Sequence, residues 1–232
     1  MRPYQPLTME IKTLQLTCSD LEAMKAFYSE TLEIPVLDAT ADSFSVKIGQ
    51  STLRFMQAEN SRPYHFAFNI PSEQIEQAYN WLKPRVVIEL ADGSPIANFE
   101  SWNAKAIYFY DPDKNIVEFI DRKNLNIPGE HTFGPASLIS ISEIGVSHDS
   151  IESFYNQVKQ ELGLSKYSGN FDSFCAIGTE TGLFIVVNPK NKNWYPNGDP
   201  IHASPFEAEI QIPKGTVIIR YNANQLTIQN TH

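Results

Sequence analysis

Apolar and polar residues alternate along several short segments of the chain, and between these segments the apolar residues recur every three or four positions. Residues 11–18 alternate, which predicts a strand, and the next apolar residues follow helical spacing as far as Pro35. Asp20 is a residue type that caps a helix N-terminus. Three further short strands are predicted near 36–39, 43–48 and 52–57. The chain therefore opens with the order strand, helix, strand, strand, strand, written βαβββ.

The same pattern returns about 130 residues later. Asp149 and Glu152 have the spacing of a capping box, and Gly163 is expected to end the helix of this later copy. An internal repeat of this kind indicates a fold built from repeated βαβββ units. Adding 130 to the residue number places Leu21 on Ile151, Leu32 on Leu162 and Leu53 on Leu183.

A more diverged unit lies between the two copies. Its first strand is predicted at residues 65–70, and its helix ends before Pro84. It closes with a hairpin whose strands, near 106–110 and 116–121, flank the turn sequence Asp-Pro-Asp-Lys-Asn. This unit and the first one together predict a complete two-unit domain at residues 8–122.

The remainder of the chain is predicted to form a second domain. A connector rich in Asn, Pro and Gly, residues 123–136, separates it from the first. Residues 189–232 open with a polar loop and contain three short strand-like runs without a helix, as in a truncated fourth unit. We therefore predict an α+β protein whose second domain, residues 136–232, holds one full βαβββ unit and short strands.

The amino-acid composition limits the classes of molecule that the protein is expected to bind. The 232 residues include 18 Lys and Arg and 27 Asp and Glu, a net charge of −9. An acidic surface repels phosphate backbones and anionic lipid headgroups, so we expect a small-molecule partner rather than a nucleic acid or a membrane. Cys18 and Cys175 lie in apolar runs without CxxC spacing and are expected to be buried thiols. The absence of a long apolar run and of a signal-like start favours the cytoplasm.

Two segments of the chain resemble a known family. Residues 13–23 read Thr-Leu-Gln-Leu-Thr-Cys-Ser-Asp-Leu-Glu-Ala, and residues 108–119 read Tyr-Phe-Tyr-Asp-Pro-Asp-Lys-Asn-Ile-Val-Glu-Phe. They are similar to the opening and to the closing hairpin of vicinal-oxygen-chelate proteins, the superfamily of glyoxalases, bleomycin-resistance proteins and extradiol dioxygenases. The resemblance covers residues 9–122 well and 138–188 less closely. It implies paired βαβββ units that form an open, cup-shaped mixed sheet.

The same resemblance implies a divalent metal held by inward-facing residues on the first and last strands of each unit. The matching positions are Thr13 and Arg54 in the first unit and His65 and Glu118 in the second. His65 and Glu118 are the expected ligands of Fe, Mn, Zn or Ni, and Glu118 and Arg54 are the expected catalytic residues. The implied activity is that of a ring-cleaving dioxygenase or a glyoxalase-like lyase.

Side-chain alternation groups the candidate residues by face. Because neighbouring residues of a strand point to opposite faces, Thr13 shares a face with Gln15, and Asn69 shares one with His65. We expect Thr13, Gln15 and Asn69 to bind the substrate, together with Trp102 at the mouth of the cup.

Other interpretations stay open. Arg54 cannot ligate a metal, and it could instead form an ion pair with Glu118, which lies among apolar neighbours and needs a partner. The chain would then be a metal-free small-molecule-binding protein of the resistance type, or a catalytically silent domain kept for dimerisation. A homodimer is a further possibility that the sequence leaves open, because the family often pairs chains and the incomplete last unit leaves a sheet edge to cover.

Three further features of the sequence carry weaker functional signals. Glu143 takes the Thr13 position in the later copy, but a strand glutamate is more often exposed or ion-paired than a ligand, and we favour that interpretation. Trp194 and Tyr195 lie in a polar loop that is either a lid or a loop burying its own aromatic residues. GxSxG, GxxxxGK[ST] and GxGxxG motifs are absent, so hydrolase, nucleotide and dinucleotide functions lack support.

Overall fold

A computed structural model describes residues 8–130 and 132–231. Within these residues, sixteen strands form one continuous mixed sheet that is accompanied by three α-helices. None of the described helices is long and apolar enough to cross a membrane. The open mixed sheet with few helices confirms the predicted α+β fold.

The elements follow one another in three groups and a tail. The first group is β1 (Glu10–Cys18), α1 (Leu21–Ala26), β2 (Val36–Ala39), β3 (Ser43–Ile48) and β4 (Ser51–Gln57). The second is β5 (His65–Ile70), α2 (Ile75–Leu82), β6 (Ile88–Glu89), β7 (Ala97–Phe99), β8 (Ala104–Tyr110) and β9 (Ile116–Arg122). The third is β10 (Ser140–Ser147), α3 (Ile151–Leu162), β11 (Lys166–Gly169), β12 (Phe174–Thr179) and β13 (Gly182–Val187). The tail is β14 (Phe206–Ile212), β15 (Gly215–Asn222) and β16 (Gln225–Asn230).

The helix ends follow from the residues that cap them. The Asp20 carboxylate accepts a backbone N–H of the first turn of α1, as predicted. Gly163, with φ of 77°, ends α3, also as predicted, because glycine adopts this left-handed conformation without steric cost. The start of α3 differs from the prediction: Ser150, not Asp149, is the N-cap.

Within each of the first three groups, the opening strand lies parallel to the closing strand. β1 pairs with β4, β5 with β9 and β10 with β13. The second group has two short strands, β6 and β7, on the outer edge of β8. The tail is an antiparallel β14-β15-β16 meander without a helix. These pairings leave the opening strand of every group with one free edge.

The pairing between groups differs from the expected cup of the first and second units. β5 lies antiparallel to β10, and β1 lies antiparallel to β14, so the second group faces the third and the first group faces the tail. β1 meets β10 only at Ile11 and Ile141. The pattern within a unit marks which strand has a free edge, but it does not specify which other opening strand covers that edge. The domain boundaries 8–122 and 136–232 stay a prediction.

Apolar side chains cover both faces of the sheet to different extents. The larger core lies beneath the helices and includes Leu14, Phe66 and Phe154. A smaller cluster on the opposite face includes Ala67 and Tyr108 and surrounds a group of buried charged residues.

The two cysteines belong to the interior of the molecule. Cys18 and Cys175 are free and buried, as predicted. Burial raises the pKa of the Cys18 thiol to about 12 and that of Cys175 to about 11. Both thiols are therefore protonated and unreactive near neutral pH.

Candidate metal centre

His65 and Glu118 lie side by side on the face with the smaller apolar cluster. His65 opens β5, and Glu118 on β9 lies across from Ala67, two residues further along β5. Nε2 of His65 is 3.1 Å from Oε2 of Glu118, and both side chains are buried. The structure thus brings together the two residues that the sequence proposed as metal ligands.

Glu143 reaches the same place from a different part of the chain. It lies on β10 directly across from Ala67, on the face that also carries His65. One ligand atom from each of His65, Glu118 and Glu143 lies within 4.8 Å of the other two, and all three residues are buried. The residue that we considered a weaker candidate therefore supplies the third donor of the cluster.

Arg122 forms an ion pair with Glu143. It is the last residue of β9, only 1% exposed, and its Nη2 donates to Oε1 of Glu143. Arg122 Nε donates to Oδ1 of Asn69 at 3.2 Å, and Nδ2 of Asn69 donates to the carbonyl oxygen of Glu180 at 2.9 Å. Because both ends of its amide are engaged within the protein, Asn69 orients Arg122 rather than lining the cavity as we expected.

Burial and carboxylate repulsion control the protonation of Glu143. Burial raises its pKa to about 7, the nearby Glu118 charge adds to the rise, and Arg122 and His65 oppose it. Tyr108 on β8 lies across from Glu118. Burial, followed by the charges of Glu118 and Glu143, holds the pKa of Tyr108 well above its usual range. Tyr108 is therefore a neutral phenol at physiological pH.

A cavity of about 250 Å³ opens over the three donors. Trp102 lines it, at the position where we expected a substrate contact. The ring of Trp194 packs edge-on against the His65 imidazole, with 5.0 Å between centroids. The aromatic residues of the lining are Phe99, Trp102, Tyr108, Phe174, Trp194 and Tyr195.

The loop between β13 and β14 supplies part of this lining. Trp194 and Tyr195 both face the cavity. The Tyr195 hydroxyl donates to Oδ2 of Asp92 at 3.0 Å, and the Tyr110 hydroxyl donates to Asp199. The loop therefore joins the third group to the second across the site, and it encloses the cavity rather than burying its aromatic residues elsewhere.

Thr13, Gln15 and Arg54 lie outside this cavity. Gln15 on β1 lies across from Arg54 on β4, in the part of the sheet where the first group meets the tail, and both residues are half-buried. Nη2 of Arg54 donates to Oγ of Ser43 at 3.0 Å, and within the described residues Arg54 forms no ion pair. Arg54 therefore meets Glu118 neither as a second catalytic residue nor as the ion-pair partner of the metal-free interpretation, because the first group pairs with the tail and not with the second group.

His65, Glu118 and Glu143 occupy three strand positions around the cavity, and the fourth lies on β13. A one-residue shift in the repeat changes which residue occupies it. The offset of 130 placed Arg54 on Phe184. The strand registers instead make Ile185 the counterpart of Arg54, because Gln15 pairs with Arg54 as Gly145 pairs with Ile185. A shift of one residue moves a side chain to the other face of a strand. Ile185 lines the cavity, so the fourth position is apolar.

Sequence reasoning missed Arg122 and Tyr108. Arg122 carried a signal that was available: it ends a mostly apolar strand that also contains Glu118. A charged residue in such a strand needs a partner in the same way that Glu118 does. Tyr108 had no comparable signal, because a strand tyrosine is common in any core.

The sequence of this chain is similar to a known protein family and to one of its characterised members. The family model of the Glyoxalase/Bleomycin resistance protein/Dioxygenase superfamily matches residues 10–119. The metallothiol transferase FosB of Staphylococcus epidermidis (strain ATCC 12228 / FDA PCI 1200) is 31% identical over 120 residues, which are 47% of this chain and 82% of that protein. The chain belongs to the glyoxalase/bleomycin resistance protein/dioxygenase superfamily.

A solved structure extends the likeness beyond the matched segment. A proposed dioxygenase from Bacillus subtilis subsp. subtilis str. 168 superimposes with a TM-score of 0.58 and 13% sequence identity. The superposition covers 95% of this chain and 69% of that chain. At this identity the likeness shows a shared fold, and the fold therefore includes the third group and the tail.

Proposed function

We propose that the protein is a divalent-metal-dependent enzyme acting on a small molecule that presents two oxygen donors. The reaction is that of a ring-cleaving dioxygenase or of a glyoxalase-like lyase. The observation that carries the proposal is the convergence of His65, Glu118 and Glu143 at one cavity. Membership of the superfamily and the likeness to a metallothiol transferase support it.

The donor set fits a divalent cation. One imidazole nitrogen and two carboxylate oxygens are ligand types that Fe(II), Mn(II), Zn(II) and Ni(II) accept. Two ligand atoms about 2.1 Å from one ion and at right angles are about 3 Å apart. The His65 and Glu118 donor atoms are separated by 3.1 Å. A cation would also relieve the repulsion between the two buried carboxylates.

The other residues of the site have separate roles around this centre. When bound, the cation would supply Lewis-acid polarisation of the substrate oxygens. Arg122 fixes the orientation of the Glu143 carboxylate. The rings of Trp102 and Trp194 exclude water and hold the apolar body of the substrate. The neutral Tyr108 hydroxyl can donate a hydrogen bond to a substrate oxygen.

Metal binding by variants tests the proposal. The metal-free chain, dialysed separately against Mn(II), Fe(II), Ni(II) and Zn(II), is expected to retain one ion per chain. Glu118→Gln and Glu143→Gln each remove a negative donor, so we expect affinity to fall by at least about tenfold. Glu209→Gln is the matched control, because Glu209 is exposed on β14. Failure of the wild-type chain to retain any of the four metals contradicts the proposal.

A turnover assay then separates the two reaction types. The metal-loaded chain is offered catechols under oxygen and hemithioacetals without oxygen. Ring cleavage of the first indicates a dioxygenase, and isomerisation of the second indicates a lyase. Activity in either assay that survives Glu118→Gln contradicts the assigned site.

A metal-free small-molecule-binding protein of the resistance type is the second candidate. One observation favours it: each carboxylate already has a partner, since Glu118 contacts His65 and Glu143 contacts Arg122. A wild-type chain that binds no metal but binds a small molecule in the aromatic cavity supports this candidate over the first.

Two further proposals concern the oligomeric state of the protein and its cellular compartment. Among the residues that the structure describes, β16 pairs only with β15, and its other edge could take a strand of a second copy of the chain. We therefore propose a homodimer, which light scattering of the purified protein tests. The free thiols of Cys18 and Cys175 fit a reducing compartment, and we propose the cytoplasm.

A further inference from the structure

Lys192 is a positively charged residue at the rim of the aromatic cavity. Its ammonium lies over the ring of Phe174, 4.5 Å from the centroid. Among the residues that the structure describes, no carboxylate lies within ion-pair distance of this ammonium. Partial burial lowers the pKa of Lys192. The cavity thus carries a cation without an anionic protein partner.

The backbone around Lys192 is anchored by hydrogen bonds. The Lys192 N–H donates to the carbonyl oxygen of Asn188 at 3.1 Å. Nδ2 of the preceding residue, Asn191, donates to the carbonyl oxygen of Asp172 at 2.9 Å. Trp194, two residues later, is buried against the site. The Lys192 side chain therefore extends from an anchored backbone segment, so ligand binding costs less entropy for ordering this segment.

The negative and positive side chains of the cavity lie at different depths. The two carboxylates, Glu118 and Glu143, are buried at its base, whereas the Lys192 side chain reaches solvent at its rim and is only partly desolvated by its neighbours. An anionic group of a ligand is repelled by the carboxylates but attracted by the ammonium, which is also desolvated on the side of the Phe174 ring. The apolar rings between them suit an uncharged ligand body.

We propose that Lys192 determines substrate specificity by binding a carboxylate at the end of the substrate opposite its two metal-binding oxygens. This proposal rests on the proposed function, because the position of the substrate is defined by the metal at His65, Glu118 and Glu143. The substrate class is thus a small molecule with a bidentate oxygen end, an apolar and preferably aromatic body, and a carboxylate tail.

Two matched chelators test this specificity. Benzohydroxamate binds metals through two oxygens and has an uncharged ring, and 4-carboxybenzohydroxamate adds a carboxylate at the far end. Their dissociation constants are measured by calorimetry on the Mn(II)-loaded protein. We expect Lys192→Gln to raise the dissociation constant of the carboxylated probe by about tenfold, because a charge-assisted contact is lost. The dissociation constant of the uncharged probe should change by less than about twofold.

Two other variants complete the experiment. Lys192→Arg keeps the charge and should keep the preference for the carboxylated probe. Lys190→Gln is the control, because Lys190 pairs with Asp149 away from the cavity, and both probes should bind it as they bind wild type. Equal effects of Lys192→Gln on both probes, no effect on either, or failure of both probes to bind the loaded protein overturns the proposal. Failure to retain Mn(II) at all identifies an error in the proposed function instead.

Discussion

Arg122 and Glu143 form a buried ion pair that joins the second group of strands to the third. Arg122 ends β9, Glu143 lies on β10, and both side chains are almost inaccessible to solvent. Removing one partner of a buried ion pair leaves an uncompensated charge in a medium of low polarity. This pair therefore contributes to the integrity of the fold as well as to the orientation of a proposed metal ligand.

Replacing Arg122 is expected to destabilise the metal-free protein strongly. In Arg122→Met, Glu143 loses its positive partner, and the free energy of unfolding should fall by about 3–5 kcal/mol, measured by urea denaturation at pH 8, above the pKa of Glu143. Arg220→Met is the matched control, because Arg220 pairs with Glu207 on an exposed surface, and its cost should be about 0–1 kcal/mol. Similar losses in both variants contradict the structural role of Arg122.

The metal-free protein is expected to lose stability as the pH rises. The folded-state pKa of Glu143, about 7, lies above the ordinary value of 4.5, so the contribution of this group is complete below about pH 4.5 and is lost as the pH rises through 7. Unfolding measured between pH 5 and pH 8 should show a weaker decline in Glu143→Gln, although this variant is less stable overall because Arg122 loses its counter-charge.

Part of the decline should remain in that variant. Burial also raises the pKa of Asp111 to about 7, and Asp111 is unchanged by the substitution. Glu209→Gln, at an exposed position, should follow the wild-type curve. A Glu143→Gln variant with the full wild-type pH dependence shows that another group is responsible.

Gly145 permits the close approach of Trp194 to the site. A Cβ atom at residue 145 would lie 2.7 Å from Cη2 of Trp194 and 3.1 Å from the carbonyl oxygen of His65. Gly145→Ala should therefore displace the indole, destabilise the protein by about 1–3 kcal/mol and increase acrylamide quenching of tryptophan fluorescence. At Gly134 a Cβ would meet no atom within 4 Å, so Gly134→Ala is the control. Unchanged quenching in Gly145→Ala means that the loop packs differently over the site.

The order of helices and strands within each unit could be predicted from the sequence, because local patterns define it. Asp20, Gly163 and the hydrophobic spacing between strands determine where helices begin and end, and each acts within a few residues. His65 and Glu118 were found from the resemblance, since both lie on strands of one unit whose pairing is local. That pairing is the parallel alignment of β5 with β9.

The complete site depends on contacts that local patterns do not encode. Whether β5 pairs with β1 or with β10 decides if Thr13 or Glu143 lies beside His65, and the units are too similar for their own patterns to distinguish these outcomes. Arg54 was expected at the site because the first unit was expected to pair with the second. A constant offset of 130 also fails to identify Ile185 as the counterpart of Arg54, because one residue of misalignment exchanges the two faces of a strand.

The central claim is that His65, Glu118 and Glu143 hold one divalent ion between the second and third groups of strands. Anomalous diffraction from crystals grown with Mn(II) locates such an ion directly. We predict a single strong peak per chain, within about 2.3 Å of one donor atom from each of the three residues. A peak at another position, or no peak with the carboxylates of Glu118 and Glu143 still paired to His65 and Arg122, contradicts the claim.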